Sequence, residues 1–157
     1  DIITLAQELH YSKKYMELFE FRYQNQFKAL VECSEEYLQV PVIKFVLQPV
    51  IENYFIHGIR MKEQDNFVRI AVEREEGCEE SYRIIVEDNG KGMTEEEISL
   101  KNQELKSDTV KNQASIGVAN VNRRLKAVYG KEYGIHMEAR AEGGLRVILR
   151  FRAEGRN

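Results

Sequence analysis

The 157 residues of this chain suit one compact domain, with room for an appended helix. Hydrophobic residues make up 43% of the sequence and charged residues 31%, which excludes global disorder. The net charge of −3 at pH 7 argues against nucleic acid as a partner, and the sequence contains no run of about 18 apolar residues that would predict a membrane-spanning helix.

The first predicted element is an amphipathic helix over residues 2 to about 20. Its apolar residues recur at an alternating three-four spacing, with Ser12 as the one polar interruption. The pattern fits either a helix docked on its own domain or the end of a helical bundle that joins the domain to an upstream region. After this helix, residues 23–33 fit a strand or one arm of a hairpin.

A second helix is predicted from Pro41 to about His57. Proline suits the first turn of a helix, where its missing N–H would have no partner, and Gly58 suits the helix end. Pro49 lies inside this range and predicts a kink or a restart of the helix.

The second half of the chain predicts two pairs of strands with helices between the pairs. Alternating apolar residues indicate strands at 67–75, 82–88, 133–139 and 145–151. Between the pairs, Thr94 and Glu97 form the capping box of a short helix, and a longer amphipathic helix covers residues 117–129.

This order of elements predicts an α+β fold. Strands that arrive in hairpin pairs favour a mixed, mainly antiparallel sheet with its helices on one face, which is a two-layer α/β sandwich. The long polar stretch over residues 91–115 is typical of a functional or mobile segment.

Three segments interrupt the apolar pattern with polar residues and glycines. The first lies in the second helix, where Asn53 and His57 are four residues apart and share a face. An Asn oxygen can coordinate Mg²⁺, and a neighbouring Glu such as Glu52 can help to hold the hydrated ion. Taken alone, these residues are more simply interpreted as solvated helix residues.

The second segment follows the strand that ends at Asp88. A carboxylate at a strand end can accept a hydrogen bond from an exocyclic amine, and Gly90 and Gly92 allow the backbone to approach a flat ligand. The same Asp-Asn-Gly sequence is also ordinary turn chemistry. The third segment opens the helix at Gly117 with small residues, so free N–H groups and the helix dipole can meet phosphates there.

Read together and in this order, the segments resemble an ATPase superfamily. This superfamily unites histidine kinases with type II topoisomerases, a heat-shock chaperone and a DNA mismatch-repair protein. Asn53 resembles the Asn of its N box, Asp88-x-Gly90-x-Gly92 its first glycine box, and Ser115-Ile-Gly117 its second. Gly143-Gly144-Leu145 resembles the last sheet segment of its site.

Three segments resemble one particular group within this superfamily. Leu-Gln-Pro-Val-Ile-Glu-Asn at 47–53, His57-Gly58 and Gly-Val-Ala-Asn-Val-Asn-Arg-Arg-Leu at 117–125 resemble the LytS-like group of sensor histidine kinases. In that group, residues 1–22 would be the helical tail of an upstream dimerisation and phosphoacceptor region. Residues 23–157 would be the catalytic and ATP-binding domain.

The resemblance implies a protein-histidine kinase that uses ATP and Mg²⁺. Asp88 would bind the adenine amino group, while Asn53 would hold Mg²⁺ and phosphate, with Glu52 as a second candidate for the metal and for catalysis. Residues 91–115 would form a lid over the ATP. The further nucleotide contacts that we assign are His57, Gly90, Gly92, Met93, Ser115, Ile116, Gly117, Val118 and Asn120.

The resemblance also implies partners. A histidine in the upstream domain of a homodimeric parent would accept the γ-phosphoryl, and a response regulator would receive it next. This domain is expected in the cytoplasm and its parent in the plasma membrane. His10 lacks the sequence context of an acceptor and is expected to be a structural residue of the first helix.

Four positions depart from the family pattern. Tyr54 stands where a small residue is usual, Ile56 where Lys is usual, Ser115 in place of glycine and Leu145 in place of Thr. They leave open a degenerate nucleotide-binding or interaction module without kinase activity. A stand-alone kinase that acts on serine, like the anti-sigma factors of the superfamily, is a further alternative, against which the first helix argues.

Overall fold

The computed structural model describes residues 1–24, 26–107 and 116–153. Within these ranges the elements are β1 (Ile2–Thr4), α1 (Leu5–Arg22), β2 (Phe27–Glu32), β3 (Pro41–Ile43), α2 (Gln48–His57), β4 (Asn66–Arg74), β5 (Ser81–Asp88), α3 (Glu95–Ser107), α4 (Ile116–Tyr129), β6 (Gly134–Ala139) and β7 (Leu145–Arg152). No helix in these ranges is long and apolar enough to cross a membrane.

Five of the strands form one sheet in the order β2-β4-β5-β7-β6. Only β2 and β4 run parallel, and the other neighbours pair antiparallel. The predicted α+β class with a mixed, mainly antiparallel sheet is therefore confirmed. The interpretation of residues 23–33 as a hairpin arm is wrong, because β2 pairs in parallel with a strand that lies beyond α2.

One face of the sheet is covered by helices and forms the core. Alternate residues of the central strands point to this face, as the period of a strand requires. The buried residues of the central strands and α4 include Val68, Ile70, Ile84, Val86, Val147, Leu149, Phe151, Val121 and Leu125. Helix α1 joins the same core through Leu5, Leu9 and Met16. The assignment of residues 1–22 to an upstream region stays a prediction.

The other face of the sheet carries a ladder of ion pairs, here named the charge ladder. Glu32 of β2, Arg69 of β4, Glu87 of β5, Arg146 of β7 and Glu138 of β6 alternate in charge across all five strands. Each neighbouring pair is joined by an N···O distance of 3.5 Å or less. The strand register produces this order, because it places Arg69 opposite Glu87 and Arg146 opposite both glutamates beside it.

The first two helices begin later than the sequence predicted. Residues Ile2–Thr4 form β1, which pairs antiparallel with β3 at Pro41–Ile43. Helix α1 then starts after Thr4, whose side chain and backbone form a reciprocal capping box with Gln7. The prediction of a helix from Pro41 is therefore wrong, because β-branched residues around it favour strand pairing with β1.

Of the two alternatives predicted at Pro49, a kink or a restart of the helix, the kink is wrong, and a helix does start at this point of the chain. Because α2 starts at Gln48, Pro49 lies in its first turn, where a missing N–H costs nothing. The predicted end at His57 and Gly58 is confirmed. Helix α2 is consequently a short, regular element that ends beside the end of β5, the central strand of the sheet.

Most of the polar stretch after β5 is an ordered helix in the part that the structure describes. The predicted capping box is present, since the backbone N–H of Thr94 donates to Glu97 at 3.0 Å and that of Glu97 donates to Thr94 at 3.1 Å. Helix α3 continues to Ser107, and its Asn102 side chain makes two hydrogen bonds to the backbone of Met137 in β6. The helix is therefore longer than predicted and is docked on the sheet edge.

Candidate functional site

A pocket opens between α2 and the adjoining ends of β5 and β7. Its lining combines polar residues, among them the buried Asp88, with buried apolar residues that are here named the floor. The lining residues are Val50, Asn53, Tyr54, His57, Gly58, Val86, Asp88, Gly92, Met93, Leu145 and Val147. The structure thus brings together five of the residues that the sequence assigned to nucleotide binding: Asn53, His57, Asp88, Gly92 and Met93.

Asp88 brings a buried carboxylate into this pocket. Its side chain is 7% exposed, and one carboxylate oxygen accepts a hydrogen bond from the backbone N–H of Gly90 at 2.8 Å. Burial raises the pKa of Asp88 to about 6, although the N–H groups of Gly90 and Leu145 and the charge of Arg140 act to lower it. The group is ionised at neutral pH and suits an amine donor on a ligand.

Glycines allow three backbone segments to meet around Asp88. A Cβ on Gly90 would collide with the carbonyl oxygen of Gly58, and a Cβ on Gly144 would collide with the carbonyl oxygen of Asp88. The Gly58 carbonyl also accepts a hydrogen bond from the N–H of Lys91 at 2.8 Å. The end of α2 is consequently fixed to the turn after β5 by backbone contacts.

The turn chemistry of Asp88-Asn89-Gly90 is also present, because the bond from the N–H of Gly90 to the Asp88 carboxylate closes a turn, while Asn89 makes bonds to a distant part of the chain. Its side-chain oxygen accepts a hydrogen bond from the N–H of Phe67 at 2.9 Å, and its amide nitrogen donates to the carbonyl of Asp65 at 2.7 Å. Asn89 therefore ties the turn to the start of β4. Asp88 itself thus both forms the turn and lines the pocket.

Helix α2 directs only some of its polar residues into the pocket. Asn53 is half-buried there and His57 is exposed at the rim. Glu52 is exposed and does not line the pocket. It lies near Tyr15 of α1, whose pKa is raised mainly by burial and further by the negative charge of Glu52. Ile56 is 62% exposed, so the position where the family usually carries Lys faces solvent.

Tyr54 forms part of the pocket floor. It is 4% exposed, and its hydroxyl has no hydrogen-bond partner among the described residues. The ring packs edge-on against Phe55 and lies near Phe27. Burial and the charge of Asp88 raise the pKa of Tyr54, which keeps the hydroxyl protonated. A large residue at this position is therefore accommodated by an aromatic cluster.

The predicted phosphate-binding segment lies beside the other end of α2. Gly117, near the start of α4, is close enough to Pro49 that an added Cβ would lie 3.3 Å from the proline Cβ. Ile116, Gly117 and Asn120 are exposed, while Val118 is buried in the core. None of these four lines the pocket. The predicted Ser115 lies outside the described residues.

Some residues of the site were not predicted from the sequence. The pocket floor includes Val50, Val86 and Val147, and Val86 carried a usable signal because it lies two residues before Asp88 on the same strand face. Glu8 of α1 also had a signal, since it falls within the apolar three-four stripe of that helix. Its contacts with α2 are described below.

The sequence profile of the family described as histidine kinase-, DNA gyrase B-, and HSP90-like ATPase matches residues 42–155. The sensor histidine kinase/phosphatase LytS of Staphylococcus aureus is 31% identical to the chain over 143 residues, which cover 90% of this chain and 24% of LytS. The chain thus spans about a quarter of the length of the curated relatives it matches.

Solved structures share the fold. The nucleotide-free catalytic domain of histidine kinase ThkA is similar with a TM-score of 0.69 and 15% identity, covering 99% of this chain and 98% of that one. Histidine kinase ThkA in complex with response regulator protein TrrA gives a TM-score of 0.69 at 17% identity, over 98% of this chain and 42% of that one. The histidine kinase domain of a blue-light activated histidine kinase from Erythrobacter litoralis gives a TM-score of 0.62 at 18% identity. The match covers 96% of this chain and 62% of that one.

Proposed function

Because this chain belongs to the family of histidine kinase-, DNA gyrase B-, and HSP90-like ATPases, we propose that it binds ATP with Mg²⁺ as the catalytic domain of a sensor histidine kinase. The observation that carries the proposal is the buried carboxylate of Asp88 in a pocket that also includes Asn53 and His57. The likeness to LytS supports the kinase class of the reaction.

In this proposal the pocket takes the adenine ring. The ionised Asp88 accepts a hydrogen bond from the exocyclic amine, and the apolar floor, including Val86 and Leu145, packs against the ring. Gly92 adopts a φ of +67°, which brings the backbone close to the pocket, and Met93 adds a flexible apolar side chain at its edge.

The triphosphate in this proposal runs from the pocket toward the start of α4. The N–H groups of the first turn, around Gly117 and Val118, have no acceptor within the helix itself and suit phosphate oxygens. Mg²⁺ prefers oxygen ligands and keeps several waters, so the amide oxygen of Asn53 together with phosphate oxygens fits this ion. The bound ion would neutralise charge on the phosphates. The exposed Glu52 stays the second candidate for holding the hydrated ion.

The reaction that we propose is phosphoryl transfer to histidine. An imidazole nitrogen of a histidine in the upstream region attacks the γ-phosphorus, the bond to the β–γ bridging oxygen breaks, ADP leaves and the imidazole loses its proton. The domain contributes positioning and charge neutralisation. We further propose that the parent is a homodimer and that a response regulator receives the phosphoryl group. The predicted location of the parent in the plasma membrane stays a prediction.

The experiment that tests nucleotide binding is a calorimetric titration of a non-hydrolysable ATP analogue with Mg²⁺ into this chain. Asp88→Asn is expected to abolish measurable binding, because the amide presents a donor where the amine needs an acceptor. The matched control is Asp65→Asn, since Asp65 is a 72% exposed carboxylate that pairs with Arg60 at the surface. Unchanged binding by Asp88→Asn, or no binding by the folded unmodified chain, would refute the adenine site.

A second experiment separates the kinase from a nucleotide-binding module without activity. The longer protein, with its upstream region, is incubated with ATP that is labelled at the γ-phosphorus. An acid-labile label on a histidine of that region is expected, and Asn53→Ala is expected to abolish it. Binding of the ATP analogue without any transfer would instead favour the degenerate module, for which the exposed Ile56 at the usual Lys position is the specific observation.

A further inference from the structure

A buried glutamate of α1 caps the N-terminus of α2. Glu8 is 1% exposed, and its carboxylate accepts hydrogen bonds from three consecutive backbone N–H groups: Phe45 at 2.7 Å, Val46 at 3.0 Å and Leu47 at 3.2 Å. Consecutive N–H groups that converge in this way form an anion-binding nest at the positive end of the helix dipole. The cap is needed because the N-cap residue, Leu47, has no side-chain acceptor.

The same loop is held from its other side by α4. Arg124 donates to the carbonyl of Lys44 at 2.6 Å and to that of Phe45 at 3.3 Å. Between these two sets of bonds, Phe45 adopts a φ of +59°, which non-glycine residues rarely do. Residues 44–47, here named the clamped loop, are therefore held by side chains from α1 and α4 together.

The clamped loop leads directly into the half of the site that we assign to phosphates. It precedes Gln48, the first residue of α2, and Pro49 in that first turn packs against Gly117 at the start of α4. Asn53 follows one turn later on the same short helix. The opposite end of α2 is fixed separately, through Gly58 and the turn after β5. A shift of the clamped loop would therefore move the first turn of α2 more than its last.

Resting on the proposed function, we infer that Glu8 is a positioning residue for the triphosphate half of the site. It sets the first turn of α2, and thereby Asn53 and the start of α4, at the place where phosphates and Mg²⁺ bind. It also makes that placement depend on α1, because the carboxylate belongs to α1 and the donors belong to the clamped loop. Adenine recognition at Asp88 does not depend on Glu8.

The test compares two ligands in the same variants. The non-hydrolysable ATP analogue with Mg²⁺ and adenosine alone are titrated into the unmodified chain, Glu8→Gln and Glu17→Gln. We expect Glu8→Gln to weaken binding of the ATP analogue by about five- to twentyfold and binding of adenosine by less than about twofold. Glu17→Gln is the matched control, because Glu17 lies on the same helix and, among the described residues, pairs at the surface with Lys14 alone. It is expected to change neither affinity.

A second pair of variants keeps the inference testable if Glu8→Gln does not fold. Arg124→Gln loosens the clamped loop from the exposed side and is expected to show the same selective loss of ATP-analogue affinity. Arg123→Gln removes an equal charge from the neighbouring position, whose side chain donates to Asn120 at 3.1 Å and makes no bond to the clamped loop within the described residues. It is expected to leave both affinities unchanged. Circular dichroism and thermal unfolding establish that each variant is folded.

The outcomes separate this inference from the proposed function. Equal losses for both ligands would mean that Glu8 acts only on general stability, and an unchanged affinity for the ATP analogue would mean that it does not position the site. Either result overturns the inference while nucleotide binding stands. No binding of the ATP analogue by the unmodified, folded chain would overturn the proposed function itself.

Discussion

The two ends of helix α2 are held in different ways. At the C-terminal end, backbone meets backbone: Gly58 contacts Gly90, and Gly144 lies against the carbonyl of Asp88. At the N-terminal end, one backbone bond joins Lys44 of the clamped loop to Asp1, and two long side chains, Glu8 and Arg124, hold the rest of the loop. A backbone contact allows almost no adjustment, whereas a side-chain contact moves with the helix that carries it. The proposed adenine half of the site is thus built to be fixed, and the proposed phosphate half to follow α1.

The largest expected effect tests the backbone-held end. Gly144→Ala should lower the free energy of unfolding by about 4 kcal/mol or more, because its Cβ would collide with the backbone of Asp88 and its φ of +103° is strained for alanine. Gly143→Ala is the control, because Gly143 has a similar φ of +98° but an added Cβ would meet no described atom within 4 Å apart from its chain neighbours. The loss there should be about 1–2 kcal/mol. Equal losses in urea unfolding would mean that the close contact does not matter.

The next largest effect concerns the buried carboxylate of Asp88, beside the C-terminal end of α2. Because burial raises the pKa of Asp88 to about 6, the folded chain binds its proton more tightly than the unfolded chain, and stability from this group declines as pH rises from about 4 to about 6. Asp88→Asn should therefore raise the free energy of unfolding by about 1–3 kcal/mol at pH 7.5 and have little effect near pH 4. The measurement is urea unfolding of both chains across this pH range. A constant difference would contradict the raised pKa.

A smaller effect tests the side-chain-held end. Arg124→Ala should lower the free energy of unfolding by about 1 kcal/mol, because two hydrogen bonds to the clamped loop are lost at an exposed position. Arg123→Ala should change it by less than about 0.5 kcal/mol. If thermal unfolding shows no difference between the two variants, Arg124 does not hold the loop, and the contrast between the ends of α2 rests on Glu8 alone.

The smallest effect is expected at Tyr54. Its buried hydroxyl has no partner among the described residues, so Tyr54→Phe should leave the free energy of unfolding unchanged or raise it by up to about 1 kcal/mol. Tyr129→Phe is a useful comparison, because the Tyr129 hydroxyl accepts a hydrogen bond from the N–H of Ile43 at 3.1 Å and its loss should cost about 1 kcal/mol. A clear loss with Tyr54→Phe would show that its hydroxyl is paired in solution.

Much of the fold could be predicted because its signals are local. The hairpin β4–β5 and the hairpin β6–β7 follow from alternating apolar residues with turn residues between them, and the cap at Thr94 follows from a residue three positions away. The strands β1 and β3 were missed for the opposite reason. Each has three residues, too few for a pattern, and their pairing joins segments about forty residues apart.

The residues of the candidate site also divide into those with a local signal in the sequence and those that depend on distant contacts. Asp88 and its glycines were predicted because the turn and the strand end are adjacent in sequence. The residues alone favoured a solvated Glu52, and its exposed side chain agrees with that interpretation. What the sequence did not show is that Asn53 enters the pocket, because helical spacing shows which residues share a face but not which face meets the pocket. The role of Glu8 could not be predicted either, since its acceptor oxygens and the N–H groups they bind are 37 to 39 residues apart.

The charge ladder affects the register in which the strands of the sheet pair. Its pairs lie at the sheet surface and range from half-buried at Glu87 to exposed at Glu32. Because a surface pair is worth about 1 kcal/mol or less, the ladder adds little to stability. A slip of one residue is already opposed by the apolar residues, which it would turn to solvent. A slip of two residues, however, keeps them on the core face but moves a ladder residue away from the opposite charges beside it. Because each strand supplies one member, from Glu32 to Glu138, every strand pairing carries its own penalty against misalignment. The ladder thereby selects one alignment among those that the apolar residues alone would tolerate.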